Sequence, residues 1–239
     1  MATKTMFKNA AGKRVPSVST ITGLLDKPAL MYWAHKLGLQ GVADLRGHRD
    51  SIKKAGTLMH ELIEECLKSK GAHAIHFGEI DIDKVYQKTD TKEYTKEEIA
   101  LSRPIFERAC KLLASISPFT TGLMEYSMIS EEHQFGGRLD WYGVTQGNGP
   151  LTLIDFKSGK DVYLETIVQL SAYRGLLLEL KNRVDKVRVV RVGGTPEDGE
   201  EIRELSDAQL EAGWNLFLHL RKIHDLKKIA EGESSRKAA

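Results

Sequence analysis

The sequence lacks the features of a secreted, disulfide-stabilised or membrane-spanning protein. Its 239 residues include only two cysteines, Cys66 and Cys110. Two are too few for a disulfide scaffold or for a four-cysteine zinc or iron–sulfur site. No apolar run reaches the roughly 18 residues that a membrane-spanning helix needs. We therefore expect two buried free thiols, no iron–sulfur cluster, no membrane partner and a reducing, cytoplasmic setting.

The sequence also lacks a strong excess of charge of one sign. A formal net charge of +2 does not demand a nucleic-acid partner, but it does not exclude one, because basic residues can be clustered. Two basic runs occur, one over residues 181–191 and one over 221–228. A solvated surface explains each run as well as contact with nucleic acid does.

The pattern of apolar residues predicts a mixture of helices and strands around one core, for which an apolar content of 41% is sufficient. Helices and strands that mix along the chain favour one α/β sheet with helices packed on it. The predicted elements are a hairpin over 6–18, helices over 17–25, 28–37 (with Asp26 as N-cap), 57–70 (ended by Gly71) and 95–116, strands over 122–130, 137–145 and 151–157, a helix over 163–181, a strand over 186–192 and a helix over 207–229.

The strands over 137–145 and 151–157 are joined by a segment rich in Gly, Asn and Pro, which is typical of a turn. If that turn is centred on residues 147–148, Asp140 lies directly opposite Asp155. Cβ atoms at paired positions of antiparallel strands are roughly 4.5–5.5 Å apart. The spacing therefore predicts two carboxylates close together on one hairpin.

Two neighbouring carboxylates repel each other unless a cation lies between them. Lys157 follows Asp155 by two residues and so points to the same face of the strand. Carboxylates are suitable ligands for Mg²⁺ or Mn²⁺, and an ammonium group can stabilise charge at a phosphate. The alternative is a pair of aspartates at a solvated sheet edge, because Asp-x-Lys is common by chance. The apolar residues around Asp155 favour the metal site, since burying charge among them is costly.

Four motifs in this order resemble those of PD-(D/E)XK nucleases. The resemblance is to the branch that contains the RecB nuclease domain, Cas4-like exonucleases, phage-type exonucleases and mitochondrial genome-maintenance-type exonucleases. The motifs are Gly56-x-x-x-His60-x-x-x-Glu64, Gly137-Arg-Leu-Asp140, Asp155-Phe-Lys157 and Gln169-Leu-Ser-Ala-Tyr173. Two departures are clear: the chain lacks the four cysteines expected of Cas4 proteins, and it has no Walker A motif, so no helicase engine is expected.

The resemblance implies a metal site for Mg²⁺ or Mn²⁺. Asp140, Asp155, His60 and the backbone carbonyl of Phe156 are the ligands that it implies, although His60 could instead be a lone surface histidine. Glu64 lies one helical turn after His60 and is either a further ligand or a solvated residue.

The remaining catalytic residues also follow from the resemblance. Lys157 would act with Asp140 and Asp155 in catalysis. Glu125, in the preceding strand, would lie near the metal. Gln169 and Tyr173 would orient Lys157 or contact DNA, although Tyr173 could merely pack on the sheet.

The fold implied is an α/β restriction-endonuclease-like core with a central mixed sheet flanked by helices. Residues 1–55 would form an N-terminal hairpin and helical extension packed on this core, 56–230 the nuclease core, and 231–239 a disordered tail. The activity implied is a metal-dependent DNA exonuclease acting at linear ends, in recombination, repair or degradation of phage or mobile-element DNA. A recombination or single-strand-binding partner would fit this role. The alternatives are an endonuclease of the same fold, a catalytically inactive DNA-binding or assembly protein, and a hydrolase of small phosphate esters.

Overall fold

The computed structural model of the chain describes residues 6–68, 76–116, 122–145 and 149–232. The predicted stop residue Gly71, the turn at 147–148 and residues 233–239 of the tail lie outside these ranges. The helix predicted to run to residue 70 ends earlier, at Leu67. Among the helices that the structure describes, none is long and apolar enough to cross a membrane. Both cysteines are free and buried, as the sequence predicts.

The described chain contains seven strands and seven α-helices. Two short 3-10 helices, Phe77–Glu79 and Pro196–Asp198, accompany them. In chain order the elements are β1 (Phe7–Lys8), β2 (Arg14–Val15), α1 (Val18–Thr22), α2 (Pro28–Leu39), α3 (Leu45–Leu67), α4 (Ile82–Lys88), α5 (Lys96–Ile116), β3 (Leu123–Ser130), β4 (Phe135–Val144), β5 (Leu151–Lys157), α6 (Leu164–Glu179), β6 (Lys186–Val192), β7 (Glu200–Glu204) and α7 (Asp207–Ala230).

The five longer strands form one mixed sheet in the order β3-β4-β5-β6-β7. Only β5 and β6 are parallel, and helix α6 makes the crossover that parallel neighbours require. Side chains alternate between the two faces: Leu153 packs into one core with α1, α6 and α7, whereas Ile154 packs into a second core with α3 and α5. A central mixed sheet flanked by helices is the fold that the sequence predicts.

Most element boundaries lie close to the predicted ones, but one helix begins much earlier. Helix α3 begins at Leu45, after Asp44 caps it by accepting a hydrogen bond from the backbone N–H of Gly47. The prediction of a start at residue 57 was wrong because the first ten helical residues carry no buried apolar stripe. Asp26 is not the N-cap of α2; Lys27 occupies that position without a side-chain cap.

The N-terminal hairpin and α1 pack directly on the sheet. Phe7 lies so close to Gly136 that a Cβ there would be 2.2 Å from its ring. Val18 and Ile21 of α1 are fully buried in the core that faces α6. The proposed boundary between residues 55 and 56 falls within the continuous helix α3, so the division into extension and core stays a prediction.

Candidate metal centre

Helix α3 comes close to the end of β5 at Gly56. A Cβ at this position would lie 2.1 Å from Oγ of Ser158, so the absence of a side chain allows the close approach. One turn later, the ring of His60 meets the ring of Phe156 edge-on, with centroids 5.9 Å apart. Nδ1 of His60 then lies 3.4 Å from Oδ2 of Asp140. Gly56 thus lets the helix present His60 to the sheet.

The register of β4 and β5 agrees with the one predicted from the turn. Trp141 pairs with Ile154, and the next position of that register sets Asp140 opposite Asp155. The ladder stops before this pair, and Oδ2 of Asp140 instead accepts a hydrogen bond of 2.8 Å from the backbone N–H of Phe156. The Asp140 carboxylate is thereby held across the gap where the strands separate.

Glu125 interrupts the ladder between β3 and β4. Regular pairs flank it on both sides, and its φ of 45° is left-handed, which is uncommon for a residue other than glycine. Such conformations cost of order 1–3 kcal/mol and cluster at functional sites. Together, His60, Glu125 and Asp140 can offer three ligand atoms within 4.8 Å of one another. The interrupted ladder therefore accompanies a cluster suited to a divalent cation.

The carboxylates of this region are poorly hydrated. Burial, followed by the charge of Asp140, raises the pKa of Glu125 to about 7. Burial also raises the pKa of Asp155 to about 6, against the opposing effect of Lys157, and it raises the pKa of Asp140. Within the described residues, Oδ1 of Asp155 is buried without a hydrogen-bond partner. A cation would satisfy this surplus of buried negative charge.

His60 is suited to bind a cation in its neutral form. Burial and the charge of Lys157 lower the pKa of His60 to about 4. At neutral pH the ring therefore carries one nitrogen with a free lone pair, which is the form that coordinates metals. The contact between His60 and Asp140 is accordingly not an ion pair at neutral pH.

Lys157 is paired with Asp155. Its Nζ lies 2.5 Å from Oδ2 of Asp155, and the lysine side chain is 28% exposed. Burial alone would lower the pKa of Lys157, but the carboxylates of Asp155 and Asp140 outweigh it and raise the pKa. The ammonium group therefore stays charged at the edge of the site. Asp155 thus pairs with Lys157 and is not one of the three grouped residues His60, Glu125 and Asp140.

The Gln169–Tyr173 motif and Glu64, the last residue of the His60 motif, remain to be placed. On α6, Nε2 of Gln169 donates a hydrogen bond of 2.9 Å to the hydroxyl of Tyr173. The Tyr173 ring also packs on β4, where a Cβ at Gly137 would lie 2.7 Å from it. On α3, Glu64 lines the same small pocket as His60, Glu125 and Asp140, and it forms an ion pair of 3.1 Å with Lys68. The structure therefore brings His60, Glu64, Glu125 and Asp140 to one pocket, and Tyr173, whose pKa is raised by burial, lies near enough for the charges of Asp155 and Asp140 to raise that pKa further. Gln169 contacts Tyr173 rather than the cluster itself.

Arg138 is a residue of this region to which the sequence analysis assigns no role. Its Nε lies 2.7 Å from Oε2 of Glu125, and its side chain is 51% exposed. The available signal was its place in the Gly-Arg-Leu-Asp motif, two residues before Asp140, although spacing alone does not indicate its partner.

Comparisons with known proteins give structural likenesses and one family match. No curated protein sequence matches the chain. A putative exonuclease from Eubacterium rectale is similar in structure, with 12% identity, a TM-score of 0.48 and coverage of 75% of this chain and 68% of that one. The protein SSO0001 is similar with 16% identity, a TM-score of 0.31 and coverage of 72% and 85%, respectively. A sequence model of the PD-(D/E)XK nuclease superfamily matches residues 16–237. The chain therefore belongs to the PD-(D/E)XK nuclease superfamily.

Proposed function

We propose that this nuclease hydrolyses phosphodiester bonds in DNA with Mg²⁺ or Mn²⁺ and that it acts as an exonuclease. The observation that carries the metal dependence is the cluster of His60, Glu125 and Asp140, whose ligand atoms lie within 4.8 Å of one another. The pair of Asp155 and Lys157 borders this cluster. Oxygen-rich sites with few protein ligands are typical of Mg²⁺ and Mn²⁺ sites that act on phosphates.

In this proposal the cation is held by His60, Glu125 and Asp140, with Asp155 and the carbonyl of Phe156 completing the set. Glu64 lines the same pocket and is the candidate for an outer ligand. When bound, the cation would polarise the scissile phosphate and lower the pKa of a coordinated water. The carboxylates of Glu125 and Asp155 support this assignment, because burial raises their pKa values and a bound cation would stabilise their charged forms.

Lys157 is the residue proposed to act on the reacting groups. Its ammonium group stays charged beside Asp155, so it can orient the attacking water or stabilise the charge that develops on the phosphate. Gln169 and Tyr173 would position this region from α6. Their mutual hydrogen bond and the packing of Tyr173 on Gly137 support a positioning role rather than direct chemistry.

The exonuclease mode rests on the resemblance of the His60 and Gln169–Tyr173 motifs to the RecB-like and Cas4-like branch. From the same resemblance, we propose a role at linear DNA ends in recombination, repair or degradation of phage or mobile-element DNA, in the cytoplasm. A recombination or single-strand-binding protein is the partner that this role would require.

The test is a digestion of matched linear and covalently closed DNA, each single- and double-stranded, with Mg²⁺ or Mn²⁺. The proposal predicts degradation of linear DNA and little action on closed circles. Rapid linearisation of closed duplex would show an endonuclease instead. Binding of DNA without cleavage under any metal would indicate an inactive DNA-binding protein, and failure to bind any polynucleotide would favour a hydrolase of small phosphate esters.

A further inference from the structure

Arg138 is a cationic residue in direct contact with a member of the metal cluster, Glu125. It extends from β4, where its backbone pairs with Ser127 of the edge strand β3. Its Nε contacts Oε2 of Glu125 at 2.7 Å, and about half of its side chain remains exposed. The guanidinium charge opposes the rise in the pKa of Glu125 and Asp140 and adds to the lowering of the pKa of His60. Arg138 therefore acts electrostatically on every member of the cluster.

Two cations can bind the Glu125 carboxylate. One is Arg138, which contacts it directly, and the other is a divalent cation held by the same carboxylate together with His60 and Asp140. Two cations that share one carboxylate repel each other. Glu125 is half-buried on a strand with an unusual backbone, whereas Arg138 is long and half exposed. Arg138 is thus the partner that can move.

A displaced guanidinium beside a metal-bound phosphate has a suitable new partner. Guanidinium groups form paired, charge-assisted hydrogen bonds with phosphate oxygens. About half of the Arg138 side chain is exposed, so it is accessible to a DNA strand that binds at the cluster.

We propose that Arg138 binds two anions in turn: it neutralises Glu125 before the metal binds, and it then contacts a phosphate of the DNA strand once the metal has taken the carboxylate. This inference rests on the proposed nuclease function. It differs from a purely structural role, in which Arg138 would hold Glu125 in place for the metal. The two roles predict opposite signs for the effect of removing Arg138 on metal affinity.

The test compares Arg138→Gln and Arg138→Lys with the wild-type protein, using Mn²⁺ as the metal probe in calorimetry. Removing the competing charge in Arg138→Gln should tighten Mn²⁺ binding about fivefold. Arg138→Lys keeps the charge and should bind Mn²⁺ like the wild type. The matched control is Arg183→Gln, which removes another exposed arginine paired with a carboxylate, Asp185, and should leave Mn²⁺ affinity unchanged.

The second readout is the affinity for a short DNA duplex with Mn²⁺, measured by fluorescence anisotropy in a Lys157→Ala background so that the DNA is not consumed. Arg138→Gln should weaken DNA binding about tenfold and reduce the slope of log affinity against log salt by about one. Arg138→Lys should keep the slope but lose part of the affinity, because an ammonium group cannot bind a phosphate through a planar fork.

Weaker Mn²⁺ binding in Arg138→Gln would overturn the proposal in favour of the structural role. Unchanged DNA affinity and salt slope would overturn it as well. Failure of the proposed function would look different: the wild-type protein itself would bind neither Mn²⁺ nor DNA. The proposal is supported if the wild type binds Mn²⁺ and DNA and if Arg138→Gln binds Mn²⁺ more tightly but DNA more weakly.

Discussion

The substitution Glu125→Gln should stabilise the metal-free protein at alkaline pH. The pKa of Glu125 is raised from 4.5 to about 7 in the folded protein, mainly by burial and then by the charge of Asp140. Below pH 4.5 the carboxyl is protonated in both the folded and the unfolded chain, so its ionisation costs nothing there. Between pH 4.5 and about 7 the carboxyl ionises in the unfolded chain but stays protonated in the folded protein, so stability falls as the pH rises, and the full loss is present above about pH 7.

The magnitude follows from the difference between the two pKa values. One pKa unit corresponds to about 1.36 kcal/mol, so a rise from 4.5 to about 7 amounts to about 3 kcal/mol. Glutamine has nearly the shape of protonated glutamate and avoids this cost. At pH 8, Glu125→Gln should therefore exceed the wild type by about 3 kcal/mol, or about 6–12 °C in melting temperature for a chain of this size. Near pH 4.5 the two proteins should be equally stable.

The assay is urea and thermal denaturation in EDTA at several pH values between 4.5 and 8. Glu97→Gln is the control, because Glu97 is an exposed residue in the first turn of α5 and should show no such pH dependence. Glu98 is unsuitable for this purpose, since it is buried and caps the same helix through Thr95. Equal or lower stability of Glu125→Gln at pH 8 would refute the claim that ionised Glu125 destabilises the metal-free site.

Two further predictions concern the metal and the packing of the sheet. Mn²⁺ affinity, measured by calorimetry, should rise from pH 5 to pH 8. Asp155 and Glu125 have pKa values of about 6 and 7 and must release protons to bind the metal. A flat profile of affinity against pH would show that these groups are not ligands. Gly137→Ala should lower the free energy of unfolding by about 1–3 kcal/mol, since its Cβ would lie 2.7 Å from the Tyr173 ring. Gly38→Ala, with nothing within 4 Å, should not destabilise the protein in the same urea titration.

The sequence predicts the sheet better than it predicts the ends of the helices. The bounds of β5 follow from an apolar run and those of β6 from valines that alternate with charged residues, and the predicted register of the β4–β5 hairpin is confirmed. The early start of α3 and the short helix α4 were missed because neither has a long apolar stripe. Strand β7 was missed because its five residues include four charged side chains, which an edge strand tolerates.

Sequence patterns predict which residues approach the site, but they do not predict how the side chains divide among partners. Strand alternation brings Asp140, Asp155 and Lys157 together in the prediction and in the structure. No local sequence pattern predicts the left-handed backbone of Glu125. It is seen only in the structure, where the pairing of β3 with β4 is interrupted at this residue. The pairing of Asp155 with Lys157 likewise depends on side-chain torsions that spacing does not determine.

Hydrolysis of DNA at the centre bordered by Lys157 can be tested directly. The most direct measurement compares cleavage of end-labelled linear DNA by the wild type and by Lys157→Ala, with Mg²⁺ or Mn²⁺, after calorimetry has shown that both proteins are folded and bind the metal. An ammonium group is not a ligand, so Lys157→Ala should keep its metal affinity. We expect metal-dependent cleavage by the wild type and a loss of about 100- to 1,000-fold in kcat for the variant. Cleavage by folded Lys157→Ala at the wild-type rate would contradict this expectation.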